Sequence, residues 1–416
     1  MTGTNPPPAA APSKQSFSAL RNRGFRMQFA TFILAMMADN IEHVISYWVL
    51  FQKFESPALA GFAVVSHWLP FLVFSVWIGA LADRFDPRRI IQCGMGLFII
   101  ASLGWGYLFF TDTLQMWHAV VLLAIHGFAA LLWVTPNQLL LYDIVGPSEL
   151  MSAVRLNATA RYVGVLVGPA AGGAIMLALG PAWGIFLNTV FYLPLVLWLV
   201  RAPHGPKFRK DAPPPRRAIG GFADIVHTVR GIAQHPIIVS MTVLAGAASF
   251  LIGSGYMAQM PNFANDLGHG DPGVAYTLLL SADAAGGMAA GFALEGRNLL
   301  PAKARTAIIL AVLWCFALMT FALVPSYPVA LAALFAAGFF ELSFSAMAQT
   351  LVQLGAPIAM RGRAIGLFNM ASMGLRALSG VSIGLVGSFI GVHWSLALAA
   401  TVMLAITCTM LVRTKA

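Results

Sequence analysis

Residues 79–89 have the sequence Gly-Ala-Leu-Ala-Asp-Arg-Phe-Asp-Pro-Arg-Arg, a charged segment between two long apolar runs. The flanking runs, at about 58–82 and 90–110, each suffice to cross a bilayer core, which takes about 20 residues of helix. Glycine permits close packing of two helices, aspartate can cap a helix N-terminus, and arginines anchor a loop at the cytoplasmic membrane surface. The segment therefore indicates a tight loop between two membrane-spanning helices.

The composition of the whole chain agrees with a membrane location. Of 416 residues, 59% are hydrophobic and 10% are charged, whereas a soluble domain carries about 25% charged residues. The net charge of +10 does not indicate nucleic-acid binding, because the basic residues are spread between apolar runs. The cysteines, Cys93, Cys315 and Cys408, have no CxxC or Cys/His spacing, so neither a metal site nor a disulfide framework is predicted.

Apolar runs long enough to span a bilayer follow one another along the chain. They lie at about 25–50, 58–82, 90–110, 116–137, 160–180, 183–200, 237–260, 273–294, 304–324, 327–352, 364–390 and 394–412. We predict an all-α membrane protein of twelve transmembrane helices in two six-helix bundles. This class of architecture is expected for a secondary transporter.

The lysines and arginines predict the orientation. With the N-terminus in the cytoplasm, nearly all of the 25 basic residues fall in cytoplasmic segments, Arg155 and Arg161 among them. Only Lys53 falls outside, and only Arg376 falls within a span. Both termini are therefore predicted to be cytoplasmic, in a membrane of the bacterial inner (plasma) membrane type.

The polar stretch 201–236 divides the chain. Its first part contains Pro213-Pro214-Pro215 and predicts a flexible cytoplasmic linker, and its second part has the apolar spacing of a short amphipathic helix at the inner membrane surface. The predicted units are a disordered cytoplasmic tail (1–24), a bundle (25–200), the linker (201–236), a second bundle (237–412) and a cytoplasmic tail (413–416). The bundles repeat at an offset near 210, which places the substrate site at their interface.

The segment at 79–89 resembles the signature loop of the major facilitator superfamily, G-x-x-x-D-R-x-G-R-K. Asp86 and Pro87 depart from that pattern, so Arg88 is the better candidate for its basic position. The resemblance implies a conformational role, as a latch between the two halves. The resemblance assigns this role to Gly79, Asp83, Arg84 and Arg88.

Residues 164–173, Gly-Val-Leu-Val-Gly-Pro-Ala-Ala-Gly-Gly, resemble the G-x-x-x-G-P-x-x-G-G element of the superfamily's drug:proton antiporters. Its motif residues are Gly164, Gly168, Pro169, Gly172 and Gly173. A plain small-residue packing face is the alternative interpretation. The segments 143–157 and 357–363 resemble loops of the enterobactin-exporter and macrolide-efflux branch, whereas the arginine that many drug antiporters carry in the fourth span is missing.

Ionisable residues inside the predicted spans are candidates for function, because charge is costly at bilayer depth. The predicted proton-coupling and substrate-cavity residues are Asp39, Glu42, His43, Asp283, Glu341 and Arg376. The first three share one helix face; the carboxylates are hypothesised to carry the coupling proton or contact substrate, with His43 modulating them. Arg376 is expected to pair with Glu341 or Asp283. Structural ion pairing is the alternative for this set, and His67 and His126 are interpreted as core histidines.

Together these features predict a secondary active transporter that exports an amphipathic small molecule, siderophore- or drug-like, by proton-coupled alternating access. The alternatives are an importer or lysophospholipid flippase of the same fold, since Asp39-Asn40 also resembles lysophospholipid transporters, or a non-transporting membrane sensor or scaffold. No catalytic motif occurs, so the chain is not expected to be an enzyme. The predicted partners are a small-molecule substrate, protons and the bilayer, with no nucleic acid, metal or cofactor, and the protein is expected to act as a monomer driven by the proton gradient.

Overall fold

The computed structural model describes residues 16–208, 222–253, 255–268, 274–296, 300, 302–380, 383 and 385–413. The regular structure within these ranges is helical throughout, with no strand. The predicted all-α class is therefore confirmed.

The first half consists of long helices. They are α1 (Arg23–Phe54), α2 (Pro57–Arg84), α3 (Pro87–Phe110) and a helical stretch Met116–Arg201, preceded by a 3-10 turn at Ser18–Arg21. The stretch Met116–Arg201 is 86 residues long, and as one straight helix it would extend about 130 Å, several times the bilayer core. It is broken at Gly146 (φ 69°) and Gly180 (φ 76°). We label its parts α4 (116–145), α5 (147–179) and α6 (181–201).

These breaks follow from local chemistry. A positive φ suits glycine. The proline that follows each glycine can begin a new helix because it has no N–H, and an N–H in the first turn would have no partner within the helix. Helices α2 and α3 also begin with proline at the first helical position. In addition, the side chains of Ser56 and Asp86 cap these two helices. The loop expected after the fourth span is accordingly helical, apart from the kink at Gly146.

The second half begins with a linker helix, α7 (Phe222–Ile232). The longer helices after it are α8 (Pro236–Leu251), α9 (Val274–Gly296), α10 (Ala304–Leu323), α11 (Tyr327–Gly355), α12 (Arg361–Asn369) and α13 (Val392–Arg413). Shorter helical pieces lie at Gly255–Ala258, Met260–Asp266, Pro206–Phe208, Ile358–Met360, Arg376–Gly380 and Val386–Ile390, and a π-helix lies at Met370–Gly374. Eight of the described helical stretches, Met116–Arg201 being one, are long and apolar enough to cross a membrane.

Buried apolar side chains form a main core in each half, and each of these cores also includes residues of the opposite half. One core lies around Trp133, Phe98 and Tyr192, and another around Trp314 and Phe263. A smaller cluster that includes Ile45 and Trp105 packs in the first half. The halves meet where α2 packs on α12 and where α5 packs on α9, which leaves the polar residues of several helices facing the space between them.

The linker region agrees in part with its prediction. Helix α7 forms where an amphipathic helix was expected, with Thr228 and Ile232 buried and Val226 and Val229 exposed. Residues 209–221, which include the proline run of the predicted linker, lie outside the described residues. Placement of α7 at a membrane surface stays a prediction.

The N-terminal tail is shorter than predicted. The Ala19 backbone N–H donates to Ser152 Oγ at 3.1 Å, and the Asn22 side chain caps α1 and donates to Ile144 O at 2.9 Å. The prediction of a disordered segment over 1–24 is therefore wrong from residue 16 onward, because the Ala19 backbone and the Asn22 side chain form hydrogen bonds with α5 and α4, which are distant in the sequence. Residues 1–15 and 414–416 lie outside the described residues.

Candidate functional site

The predicted acidic face of α1 meets a histidine from α4. His126 lies between two carboxylates, with Nε2 3.0 Å from Asp39 Oδ1 and Nδ1 2.9 Å from Glu42 Oε1. All three side chains are buried, with 4%, 8% and 1% of their surfaces exposed. A neutral imidazole has only one N–H, so two carboxylate partners require a doubly protonated ring or a protonated carboxyl group. In this geometry the cluster therefore holds at least one exchangeable proton more than a neutral imidazole beside two carboxylates would hold.

Further polar side chains extend this cluster. Ser102 of α3 donates a hydrogen bond to Glu42 Oε2, and His43 Nδ1 lies 3.9 Å from Asp39 Oδ2. The His43 ring centroid is 4.5 Å from that of His126 and 5.1 Å from that of His67. These contacts link a fully buried carboxylate to side chains that face a cavity, as a proton path requires.

The three histidines also lie close enough together to be considered as metal ligands. Their ring nitrogens approach one another within 4.8 Å, and three imidazoles are a common ligand set for zinc. Both ring nitrogens of His126, however, are already within hydrogen-bond distance of carboxylates. This leaves His126 no lone pair for an ion, so the arrangement favours a proton network, and the predicted absence of a metal stays a prediction.

The cluster borders a cavity of about 260 Å³. Asp39, His43 and His67 line it, while Glu42 and His126 are not among its lining residues and are more deeply buried. The rest of its wall combines aliphatic residues with aromatic and amide side chains, which include Phe32, Trp68, Phe71, Trp133, Asn137, Gln138 and Asn157. Apolar walls with a few polar groups are typical of small-molecule sites.

The second half contributes two acidic residues in different settings. Arg376 pairs with Glu341, Nη2 to Oε1 at 3.5 Å, which is one of the two pairings considered from the sequence. Asp283 instead accepts a hydrogen bond from Tyr256 OH at 3.3 Å and is 2% exposed. Glu341 and Arg376 line a smaller cavity of about 60 Å³, whereas Asp283 lines neither cavity.

Arg161 is an interior residue, contrary to its sequence-based assignment to the cytoplasmic side. It lies on the wall shared by the larger and the smaller cavity. The assignment was wrong because the fifth span was expected to begin near residue 160, whereas α5 begins at Pro147. Arg161 is thus about 21 Å along this helix, well away from its end.

The signature loop places two of its residues between the halves. Asp83 accepts hydrogen bonds from the backbone N–H groups of Gly362 (2.6 Å) and Arg363 (3.1 Å) at the start of α12, where the helix dipole favours a negative charge. A Cβ atom at Gly79 would overlap the Gly362 carbonyl oxygen, so the helices touch through their backbones. These contacts fit the latch that the motif resemblance implies.

The arginines of the same loop have other partners. Arg88 pairs with Asp86, Nη2 to Oδ2 at 2.6 Å, and donates to Ala202 O, within the first half. Partial burial alone would raise the pKa of Asp86, but the hydrogen bonds from Arg88 hold it below its usual range. Arg84 is exposed and stacks beside Phe85. The described contacts of Arg84 and Arg88 therefore do not join the halves.

A repeat-related contact lies on the other helix pair between the halves. Glu295 of α9, which is 212 positions after Asp83, accepts a hydrogen bond from Ser152 of α5 and lies 3.9 Å from Arg155. A Cβ atom at Gly291 would overlap the Thr159 hydroxyl. In both copies of the repeat an acidic residue and a glycine four positions before it thus contact the opposite half, although the groups that they contact differ.

Buried amides form a further bridge between the halves. Gln138 donates to Asn369 Oδ1 at 3.0 Å, Asn369 donates to Thr135 Oγ1 at 3.0 Å, and Gln353 donates to Gln138 Oε1 at 3.4 Å. Gln138 also lines the larger cavity and Asn369 the smaller one. The bridge therefore closes the interface beside both cavities.

The antiporter-like motif packs α5 against α1. A Cβ atom at Gly164 would lie 3.1 Å from Met36 Cβ, one at Gly168 would overlap Asn40, and one at Gly172 would contact Ile41. Gly173 faces open space, and Pro169 lies within α5. Gly164, Gly168 and Gly172 therefore seat α5 against the part of α1 that carries Asp39.

This geometry can be compared with that of known proteins. A family model described as Major Facilitator Superfamily matches residues 27–380. The chain belongs to the major facilitator superfamily. Members of this superfamily are transporters rather than enzymes, which agrees with the prediction from the sequence.

Relatives of this superfamily member include named exporters. The enterobactin exporter EntS of Shigella boydii is 25% identical over 321 residues, 74% of this chain and 72% of the relative. EntS of Escherichia coli is 25% identical over 319 residues, with the same coverage. An uncharacterised MFS-type transporter of Mycobacterium tuberculosis is 29% identical over 181 residues, 42% of this chain but only 30% of the relative's length.

Solved structures of the superfamily share the fold. The human organic anion transporter MFSD10 superposes with a TM-score of 0.74 at 14% identity, over 93% of this chain and 99% of that one. The Escherichia coli fucose:proton symporter FucP gives 0.70 at 13% identity, with the same coverage. At these identities the likeness supports the fold alone.

The site of this superfamily member contains residues that sequence reasoning missed. Periodicity placed Asp39, Glu42 and His43 on one helix face, but it did not identify His126, Ser102 or Arg161 as their companions or neighbours. His126 was noted as ionisable within a span, and its position between two carboxylates arises only from the packing of α1 on α4. Uncharged side chains such as Ser102 gave no sequence signal at all.

Proposed function

We propose that the protein is a proton-coupled exporter of an amphipathic, siderophore- or drug-like small molecule. The single observation that carries this proposal is the buried His126 ring between Asp39 and Glu42. The proposal includes twelve transmembrane helices with both termini in the cytoplasm of a bacterial inner membrane. It also includes monomeric action powered by the proton gradient, with no cofactor.

The cluster is suited to couple proton binding to substrate movement. If its extra proton left, two buried carboxylates would face a neutral imidazole, and uncompensated charge inside a membrane protein is costly. Proton release is therefore favourable only when the surroundings change, for example when water or a ligand enters beside Asp39 and His43 on the cavity wall. A change of access and a change of protonation would thus occur together.

Alternating access requires contacts that close one end of the cavity and can open. The Asp83–Gly362 and Ser152–Glu295 contacts join the halves at the ends that the charge distribution assigns to the cytoplasm. The proposed cycle breaks these contacts to admit substrate from the cytoplasm and reforms them before release. Export is favoured over import because relatives that match 74% of the chain are named enterobactin exporters.

The proposal can be tested by transport in vesicles of defined orientation. Inside-out vesicles that contain the full chain should accumulate enterobactin or ethidium when their lumen is acidic, and an ionophore that collapses the pH gradient should stop it. Asp39→Asn and Glu42→Gln should abolish the gradient dependence at unchanged protein level. The exposed Asp112→Asn supplies a matched control.

Two results would contradict the proposal. Accumulation only in right-side-out vesicles would indicate an importer. If the wild type moved neither probe into vesicles of either orientation, with or without a pH gradient, the protein would be a sensor or scaffold.

A further inference from the structure

We propose that Arg161 and Arg376 form an anion-binding site, so that the transported molecule carries an acidic group on an aromatic body. This inference rests on the proposed function, because it names the class of its substrate. From the sequence, Arg376 was predicted only as a cavity residue paired with a carboxylate, and Arg161 was assigned to the cytoplasmic side, so neither was assigned to binding an anion. The argument depends on the charges, the unsatisfied hydrogen-bonding groups and the aromatic walls of the two cavities.

The charges on the cavity walls leave one cation unmatched. Asp39 is engaged by His126 and His43, and Glu341 is engaged by Arg376. Arg161, on the wall that both cavities share, forms no ion pair with any residue that the structure describes. A guanidinium cannot escape an unfavourable site by losing its proton, so an interior arginine without a carboxylate requires another anion or water.

Several hydrogen-bonding groups around the cavities also lack a partner among the described residues. Both side-chain polar atoms of Asn157 are buried without a hydrogen bond, as are the indole nitrogens of Trp133 and Trp314 and the Nε of Arg376. Asn157 and Trp133 line the larger cavity, and Trp314 and Arg376 line the smaller one. Buried polar groups are normally hydrogen-bonded, and most of these atoms are N–H donors, which suit the oxygens of an anion.

The walls around the arginines are aromatic. The Arg376 guanidinium carbon lies 5.4 Å from the centre of the Trp68 ring, which belongs to the opposite half. Phe32 and Phe71 line the larger cavity, and Phe344 and Phe368 the smaller one. A flat apolar body stacked here would place its acidic group on Arg161. A carboxylate, sulfonate or catecholate provides the paired oxygens that match the guanidinium fork.

The position of Arg161 also connects binding to the movement of the halves. Arg161 comes from α5, whereas Glu341 and Arg376 come from the second half. An anion held between Arg161 and Arg376 would draw the halves together. A neutral analogue of the same shape would fill the cavity without this attraction.

The test uses pairs of probes that have nearly the same shape but differ in charge. The full-length protein in lipid nanodiscs is titrated by calorimetry with 2,3-dihydroxybenzoate against 2,3-dihydroxybenzamide, and with naphthalene-2-sulfonate against naphthalene-2-sulfonamide. The anions should bind at least about tenfold tighter than the neutral partners, since hydrogen bonds to charged groups are the stronger kind. Arg161→Gln should remove most of this difference. Arg161→Lys should restore part of it, because the charge returns without the planar fork.

A matched control separates recognition from a general loss of positive charge. Arg305 is exposed near the start of α10, so Arg305→Gln should keep the wild-type preference for anions. Thermal melting of each variant shows whether it is folded, and Arg161→Lys keeps the test informative if Arg161→Gln is not.

The possible results distinguish the two proposals. Equal affinity for charged and neutral probes, failure of every anion to bind, or an unchanged preference in folded Arg161→Gln would overturn the anion site. Charge-selective binding without any proton-driven transport would leave the anion site standing and remove the proposed coupling. Proton-driven transport without charge-selective binding would support the proposed coupling and overturn the anion site.

Discussion

The carboxylate of Asp83 accepts hydrogen bonds from backbone N–H groups at the start of α12. The shorter of these bonds comes from Gly362, at 2.6 Å. These residues are 279 positions apart in the chain, and the contact joins the two halves of the transporter at one end of its central cavity. The repeat-related Glu295 also joins the halves, but it accepts its hydrogen bond from the side-chain hydroxyl of Ser152. The contacts that close this end of the cavity therefore depend on Asp83 and Glu295 and on the glycines near them, Gly79 and Gly291.

Replacing Asp83 with asparagine should weaken this closed end. The amide keeps one acceptor oxygen but loses the charge that favours a helix N-terminus, an effect of about 1 kcal/mol, or about fivefold in a conformational equilibrium. In a variant without the native cysteines, a cysteine introduced at buried Val76, which packs against Gly366 across this contact, should react faster with a water-soluble maleimide in Asp83→Asn. The exposed Asp112→Asn should leave that rate unchanged, and equal rates in both variants would argue against a latch.

Adding one methyl group at Gly79 should block closure altogether. The Cβ of Gly79→Ala would overlap the Gly362 carbonyl oxygen, which is backbone and cannot rotate away. The same maleimide measurement should show an end that stays open, and transport should fall at least about tenfold, since overpacking costs about 1–3 kcal/mol. Gly96→Ala meets open space in α3 and serves as the control. Full transport by Gly79→Ala would show that α2 and α12 do not need to approach each other as closely as they do in this structure.

Replacing His126 with glutamine should uncouple transport from protons. Glutamine can still hydrogen-bond, but it cannot take up or release a proton between Asp39 and Glu42. Proton flux driven by substrate should fall by about a hundredfold or more, in the range that a positioned acid–base group contributes, while substrate binding persists. His227→Gln, on the exposed side of α7, should behave as wild type. A pH profile of His126→Gln identical to that of the wild type would rule out the ring as a proton carrier.

The glycines of the antiporter-like motif should differ in their tolerance of substitution. Gly168→Ala would press a methyl group onto Asn40, so its folded state should lose about 1–3 kcal/mol. Gly173→Ala meets nothing within 4 Å and should be neutral or slightly stabilising, by about 0.5–1 kcal/mol, because alanine favours helix. Melting temperatures in one detergent measure both. Equal melting temperatures would show that α5 and α1 do not pack as closely as described.

Local chemistry was enough to predict the helical class, the membrane setting and much of the acidic site. Apolar runs predict helices because a backbone in lipid must satisfy its own hydrogen bonds. The spacing of Asp39, Glu42 and His43 places them on one face because helix geometry is the same wherever the helix lies. The prediction failed for residues 16–24 and for Arg161, where the bounds of a helix depend on capping and kinks as well as hydropathy.

What only the tertiary structure decided is which distant residues meet. His126 lies between Asp39 and Glu42, and Arg161 lies in the interior, because of how α4 and α5 pack against their neighbours. The amide bridge around Gln138 and Asn369 likewise joins residues 231 positions apart. Sequence periodicity reports the face of a single helix, whereas the partner of that face is selected by steric fit, by burial and by hydrogen bonds between helices. Those quantities exist only once the chain has folded.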